Sequence, residues 1–277
     1  MVFKPSLICV RIALFFVLLS GVRLLADDTY ANVLLQRGRV DEAKTALQGV
    51  LATQPNDAEA HQLLCRVYYA QEMADPAIRE CELAASGDPS NSNTQMWLGR
   101  AYGMKASRAN PLAAFSLARK VRSSFERAVQ LAPDNVEAMS DLGEYYVAAP
   151  AIVGGGLDKA GALADRMQPR FASQAHRLRA LIANKNKDTA AAEAEFKRAA
   201  LADRAPAAYI DLGQFYQQQN QPDKAVEALL AGIDADRRKD ATLVDAASIL
   251  TAMNRSPELA ERLLREYLSS SARSDDA

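Results

Sequence analysis

The sequence predicts an all-α solenoid, in which about seven helix-turn-helix repeats stack side by side. A short motif, Leu followed by a small residue and ending in Tyr, recurs at Tyr68, Tyr102, Tyr146 and Tyr216. The step from Tyr68 to Tyr102 is 34 residues, and Ala and Pro markers repeat with the same period. Because stacked repeats bury their core only against their neighbours, we expect function to lie on their surfaces.

Three stretches carry a resemblance to the tetratricopeptide repeat family, whose pattern is Leu-Gly-x-x-Tyr in a first helix, then Ala-x-x-x-aromatic, then Pro. The matching residues are Leu98, Gly99, Tyr102, Phe125, Ala128, Pro133, Ala192, Phe196 and Ala199. The resemblance implies a right-handed superhelix that acts as a protein-binding module.

The residue choices also have a physical reason. Small residues let two helices approach closely, and we expect Gly143 to face Ala160 and Gly213 to face Ala225. Proline cannot continue a helix, and Pro55, Pro89 and Pro133 mark the ends of successive units.

The chain divides into a leader, a repeat array and a short tail. The repeat units are expected at about 27–57, 58–91, 92–135, 136–172, 173–205, 206–239 and 240–268, followed by a disordered tail at 269–277. The last unit departs from the pattern, as terminal repeats commonly do.

Residues 1–26 have the layout of a secretory signal peptide of the bacterial type. Lys4 and Arg11 precede an apolar run at 12–19, and a cleavage site is expected before Asp27. We therefore expect an exported protein of the periplasm or cell envelope. An uncleaved N-terminal membrane anchor is the alternative.

The composition suits a helical array and gives no overall bias towards nucleic acid. Apolar residues make up 49% of the chain and the formal net charge is -1. We expect a protein or peptide partner and no nucleic acid.

The third unit is stretched and basic. The step from Tyr102 to Tyr146 is 44 residues, and Asn110 followed by Pro111 predicts a long helix from there to about Leu131. A solvated helix face is the alternative to a binding surface.

The fourth unit has a glycine-rich insertion at 148–156. It lacks the pattern of a phosphate-binding loop, so a structural turn is favoured over a nucleotide site. We expect the two insertions to be neighbours and to form an insertion patch that binds an acidic partner or an anionic membrane surface. Its residues are Lys105, Arg108, Arg119, Lys120, Arg122, Ile152 and Val153.

The first helices of the repeats are expected to line a groove suited to an extended or helical peptide. Its candidate residues are Gln62, Arg66, Tyr69, Met96, Arg100, Glu144 and Gln214.

Catalytic and metal sites find little support, and we expect no enzymatic activity, no cofactor and no metal. His61 and Cys65 lie four residues apart, but both fall at core positions, as does His176, and no second ligand pair accompanies them. The alternative is a regulatory or substrate-presenting subunit of an envelope enzyme complex, with catalysis on another chain.

Cys65 and Cys81 fall on the two helices of one repeat. An oxidising compartment would permit a disulfide between them, and two buried free thiols are the alternative if their Cα atoms lie more than ~7 Å apart.

Overall fold

The computed structural model describes residues 30–239 and 241–270, and the expected signal peptide at 1–26 lies outside them. In these residues all regular structure is helical, which confirms the all-α solenoid fold. The helices are α1 (30–36), α2 (Val40–Thr53), α3 (Ala58–Ala70), α4 (Ala74–Gly87), α5 (Ser92–Ser107), α6 (Pro111–Leu131), α7 (Val136–Ala148), α8 (Leu157–Met167), α9 (Ala172–Lys185), α10 (Thr189–Asp203), α11 (Pro206–Gln218), α12 (Pro222–Ala235), α13 (Ala241–Ala252) and α14 (Pro257–Ser269), with a 3₁₀ turn at Ala151–Val153.

The chain forms two compact units that divide after Ser90. Within the described ranges, none of the helices is both long and apolar enough to cross a bilayer.

Side-chain caps define where several helices begin. At the start of α3, α5, α6, α7 and α10 an Asp or Asn accepts a hydrogen bond from the backbone N–H three residues on, at 2.9–3.0 Å. Such a cap satisfies one of the backbone donors that a helix leaves without an internal partner. The cap of α6 is Asn110, so the predicted long helix from Pro111 to Leu131 is confirmed.

Residues 30–90 contain an apolar core and a disulfide that links two of its helices. Leu35, Leu47 and Val67 are fully buried in this core. Cys65 of α3 and Cys81 of α4 are bonded, with their Cα atoms 5.2 Å apart, inside the range that a disulfide requires. The bridge joins the two helices of one repeat at its centre.

In residues 91–270 five helix pairs stack in chain order, and glycines allow their close approach. A Cβ atom added at Gly99 would lie 2.5 Å from the Phe125 ring of the same repeat. A Cβ atom added at Gly143 would lie 2.7 Å from Leu178 of the next repeat, so this glycine serves the contact between α7 and α9. One added at Gly213 would lie 3.4 Å from the Ala225 carbonyl oxygen, as expected.

The turn within a repeat uses a left-handed residue where no insertion lengthens it. The residues with positive φ at these turns are Gly38, Glu72, Lys187, Asn220 and Asn254. This conformation costs a side-chain-bearing residue about 1–2 kcal/mol, so these turns favour Gly or Asn.

Candidate interaction surfaces

The first helices of residues 91–270 form one continuous face. α7 contacts both α5 and α9, and α11 contacts α9 and α13. Within this part of the chain, successive second helices make no such contacts. We call the side-by-side surface of α5, α7, α9 and α11 the first-helix face, and it corresponds to the groove expected from the sequence.

Arg177 of α9 bridges the helices on either side of it. Its Nη1 lies 2.6 Å from Glu144 Oε1 on α7, and its Nε lies 2.8 Å from Asp211 Oδ2 on α11. One guanidinium thus joins three successive repeats, a use that suits its fixed fork of donors.

The pKa values of this bridge reflect its partial burial. Burial lowers the pKa of Arg177, but attraction to Asp211 and Glu144 outweighs it and leaves the pKa raised. Burial raises the pKa of Asp211 above its ordinary value, and Arg177 offsets only part of that rise. Arg177 therefore opposes the effect of burial on the pKa of Asp211 and favours its ionised form.

A second ion pair extends the pattern towards the start of this part of the chain. Arg100 Nε of α5 lies 2.6 Å from Asp141 Oδ2 of α7, and the Arg100 guanidinium stacks 4.6 Å from the Trp97 ring centre. One ion pair therefore joins α5 to α7, and the Arg177 bridge joins α7, α9 and α11.

The structure places the expected groove residues in different environments. Met96 is buried at 5% exposure, so its expected place on an open groove is wrong; α5 packs on both α6 and α7, and more than one stripe of it is covered. Arg66 is also buried, with Nη1 3.3 Å from Asn32 Oδ1. Both side chains are therefore largely withdrawn from the surface that a partner could reach.

The other expected groove residues remain accessible to different degrees. Gln214 and Glu144 are exposed, whereas Gln62, Tyr69 and Arg100 are half-buried. Gln214 is the expected residue that best combines exposure with a place on the first-helix face.

The insertion patch has a projecting helical hairpin made by the ends of α5 and α6. No residue of α6 before Val121 is buried, so its first ten residues extend past the buried core. Lys105, Arg108, Arg119 and Lys120 are exposed on this hairpin.

The glycine-rich loop meets α6 at Arg122. Gly154 has a φ of +94°, and a Cβ atom there would overlap the Arg122 guanidinium. The turn therefore needs glycine for both its conformation and this close approach. Arg122 is half-buried as a result.

The loop itself is a folded turn. Tyr145 donates a hydrogen bond from its hydroxyl to the Val153 carbonyl at 2.8 Å, and Lys159 Nζ donates to the Gly154 carbonyl at 2.9 Å. Val153 is buried at 5% exposure, so its expected place on the patch surface is wrong, while Ile152 is 79% exposed. Lys159 thus stabilises the turn through this hydrogen bond.

A tyrosine anchors the same region to α6. The Tyr146 hydroxyl donates to Glu126 Oε1 at 3.0 Å. Burial, together with the Glu126 charge, raises the pKa of Tyr146 to about 12. This contact ties the first helix of the fourth repeat to the long helix before it.

Both histidines pair with a glutamate on the second helix of their own repeat. His61 Nδ1 lies 2.7 Å from Glu80 Oε2, and His176 Nδ1 lies 2.7 Å from Glu195 Oε2. Each pair is separated by 19 residues, a spacing that the sequence offers as a signal and that our sequence analysis missed. In the residues that the structure describes, no three His, Cys, Asp or Glu side chains form a metal cluster.

Comparison with known proteins relates this architecture to one family. A tetratricopeptide repeat model matches residues 34–101, and a second one matches residues 206–239. No curated protein sequence matches the chain significantly.

Solved structures show the same fold at low sequence identity. The chain is similar to a thermophilic tetratricopeptide repeat protein of Thermus thermophilus, with a TM-score of 0.50, 18% identity, and coverage of 88% of this chain and 99% of that one. It is also similar to a tetratricopeptide repeat protein of Parabacteroides merdae, with a TM-score of 0.51, 13% identity, and coverage of 89% and 99%. Tetratricopeptide repeats are thus identified at residues 34–101 and 206–239, and repeats of this type generally mediate protein-protein interactions.

Proposed function

We propose that this protein is a non-enzymatic scaffold or adaptor of the cell envelope that binds a protein or peptide partner on its first-helix face. The observation that carries the proposal is the bridge made by Arg177 to Glu144 and Asp211. It holds three first helices side by side before any partner arrives. A surface ordered in advance loses less conformational entropy on binding, and this favours affinity.

The chemistry of the face fits a polypeptide partner. Gln214 of α11 offers an exposed amide that can donate and accept hydrogen bonds, and Glu144 of α7 and Arg177 of α9 are ionic yet partly exposed. The main-chain amides of a peptide could form hydrogen bonds, and its charged side chains ion pairs, with side chains of α7, α9 and α11.

Export to the envelope is the second part of the proposal. The Cys65–Cys81 disulfide supports it, because such bonds persist in oxidising compartments and are rare in the cytosol. Mass measurement of the mature chain tests it: cleavage before Asp27 supports export through the signal peptide, and an intact leader on a protein found in the cytosol contradicts it.

Affinity capture from an envelope fraction tests partner binding. We expect the natural chain to retain one protein reproducibly and Gln214→Arg to lose most of it, because the larger cation would disturb the centre of the contact. Gln130→Arg makes the same change at an exposed position of the second helix α6 and should retain the partner.

The captured protein also separates the alternatives. A structural or assembly component of the envelope supports the scaffold function. An enzyme whose activity changes when the chain binds it would support the regulatory alternative instead. Equal capture by both variants contradicts the assignment of binding to the first-helix face.

A further inference from the structure

The end of the α5–α6 hairpin combines exposed apolar and basic side chains on one helix face. Leu112 is 85% exposed and Phe115 is 39% exposed, and an apolar patch that is rimmed by polar residues is typical of an interaction site. Leu112, Phe115 and Arg119 follow the i, i+3, i+7 spacing that puts side chains on one side of a helix.

The hairpin sequence is strongly basic. Between Asp88 and Glu126 there are six Lys or Arg residues and no Asp or Glu. Arg100 pairs with Asp141 and Arg122 with Glu126, whereas Arg119 and Lys120 are exposed near the end of the hairpin. Lys120 Nζ lies 4.8 Å from the centre of the Tyr102 ring on α5, so its charge is held against the hairpin.

A shallow recess lies beside the apolar tip. It has a volume of about 340 Å³ and is lined by Phe115, Ser116, Arg119, Lys120 and Ser123. Its lining offers an aromatic ring, two hydroxyls and two cations, a set of groups that suits an anionic headgroup with an acyl chain beside it.

We propose that this tip docks on an anionic lipid surface, with Leu112 and Phe115 entering the membrane interface and Arg119 and Lys120 contacting phosphate. From Leu112 to Arg119 the helix rises about 10 Å. With the hairpin pointing end-on at the bilayer, Leu112 lies that far deeper than Arg119. The apolar faces of interfacial helices reach a similar depth, about 5–10 Å into the boundary between headgroups and acyl chains.

An acidic protein surface fits the same residues less well. It would satisfy the cations but leave Leu112, at the end of the projecting hairpin, against polar groups. The inference is independent of the proposed function, because it uses the α5–α6 tip and not the first-helix face.

A fluorescent label at the tip tests the inference in the full chain. The chain carries Cys9→Ser and Leu112→Cys, and nitrobenzoxadiazole is attached at position 112, since Cys65 and Cys81 are bonded to each other. The matched control has the label at Leu201→Cys, an exposed leucine of α10. Because the readout is local, membrane binding by any other segment does not produce it.

We expect the label at position 112 to brighten and shift to the blue with vesicles of phosphatidylcholine and phosphatidylglycerol, and not with phosphatidylcholine alone. Arg119→Gln with Lys120→Gln should raise the lipid needed for half the change by about 25-fold, since each cation near an anionic surface contributes about fivefold. Lys185→Gln with Lys187→Gln removes the same charge elsewhere and should have little effect.

Three results would overturn the inference. The label at position 112 stays unchanged on anionic vesicles, or it changes equally with neutral vesicles, or it responds like the label at position 201. A response to polyglutamate in place of vesicles would assign the tip to an acidic protein.

Discussion

Removal of the Arg177 bridge should destabilise the stack of repeats and do so in a pH-dependent way. Arg177→Met keeps a side chain of similar length but removes the positive charge. The Asp211 carboxylate then remains largely buried and has lost the cation that it pairs with. A fully buried pair broken in this way costs about 3–5 kcal/mol, and an exposed pair about 0–1 kcal/mol.

The exposure of the bridge sets the expected magnitude between those limits. The side chains of Arg177 and Asp211 are 27% and 23% exposed, whereas that of Glu144 is 48% exposed. We therefore expect the free energy of unfolding to fall by about 2 kcal/mol, with Asp211 responsible for most of it.

The sign of the pH dependence follows from Asp211. Its pKa is already raised in the folded state, and loss of Arg177 should raise it further. A carboxyl with a raised folded pKa contributes stability below its unfolded pKa, and that contribution is lost as pH rises through the folded pKa. The deficit of Arg177→Met should therefore grow as pH rises above about 4, the pKa of an aspartate in the unfolded chain.

Urea unfolding of the natural chain and the variant at several pH values measures both effects. Arg170→Met is the control, because Arg170 pairs with Asp134 at 3.7 Å on a surface that leaves both side chains more than half exposed. A loss below about 0.5 kcal/mol, or one that does not vary with pH, would refute the stabilising role of the bridge.

Three further changes test the packing of the repeats, each by urea unfolding. Cys65→Ala with Cys81→Ala should lower the free energy of unfolding by about 3 kcal/mol, because a closed loop of 16 residues is released. Lys187→Gly should raise it by up to about 1 kcal/mol, since φ there is +63°. Gly99→Ala should lower it by about 1–2 kcal/mol through overlap with the Phe125 ring, although alanine favours the helix. A reversed sign in any of them contradicts its explanation.

The sequence allowed the fold to be predicted because its signals are local and periodic. Asn110 and Pro111 specify a helix start by their own chemistry, and the structure begins α6 there. The recurring Leu-Gly-x-x-Tyr stretch marks the first helices by one side-chain pattern, so the solenoid could be derived without any long-range information.

The first-helix face could be predicted only in part, because its contacts depend on the register between repeats. Arg177 meets Glu144 and Asp211 across 33 and 34 residues, and Arg100 meets Asp141 across 41, since the insertion lengthens that step. A sequence with one stretched repeat does not reveal which side chains face each other. For the same reason, the sequence did not show that Met96 would be buried.

The insertions illustrate the same limit on a smaller scale. Their basic and apolar residues were identifiable from the sequence, but not which of them the turn would bury. The Val153 side chain is buried and its carbonyl accepts a hydrogen bond from the Tyr145 hydroxyl, while the adjacent Ile152 is exposed. Whether a side chain is buried or exposed therefore changes between adjacent residues of the 3₁₀ turn. A turn of three residues is too short to show a periodic sequence pattern that would predict it.

Site-specific photo-crosslinking in cells tests the central claim most directly. A benzophenone side chain replaces Gln214 on the first-helix face or, as the control, Glu227, which is exposed on the second helix of the same repeat. We predict that one protein is crosslinked at position 214 and not at position 227. No adduct at position 214, or the same adduct at both positions, would contradict binding of a protein partner by the first-helix face.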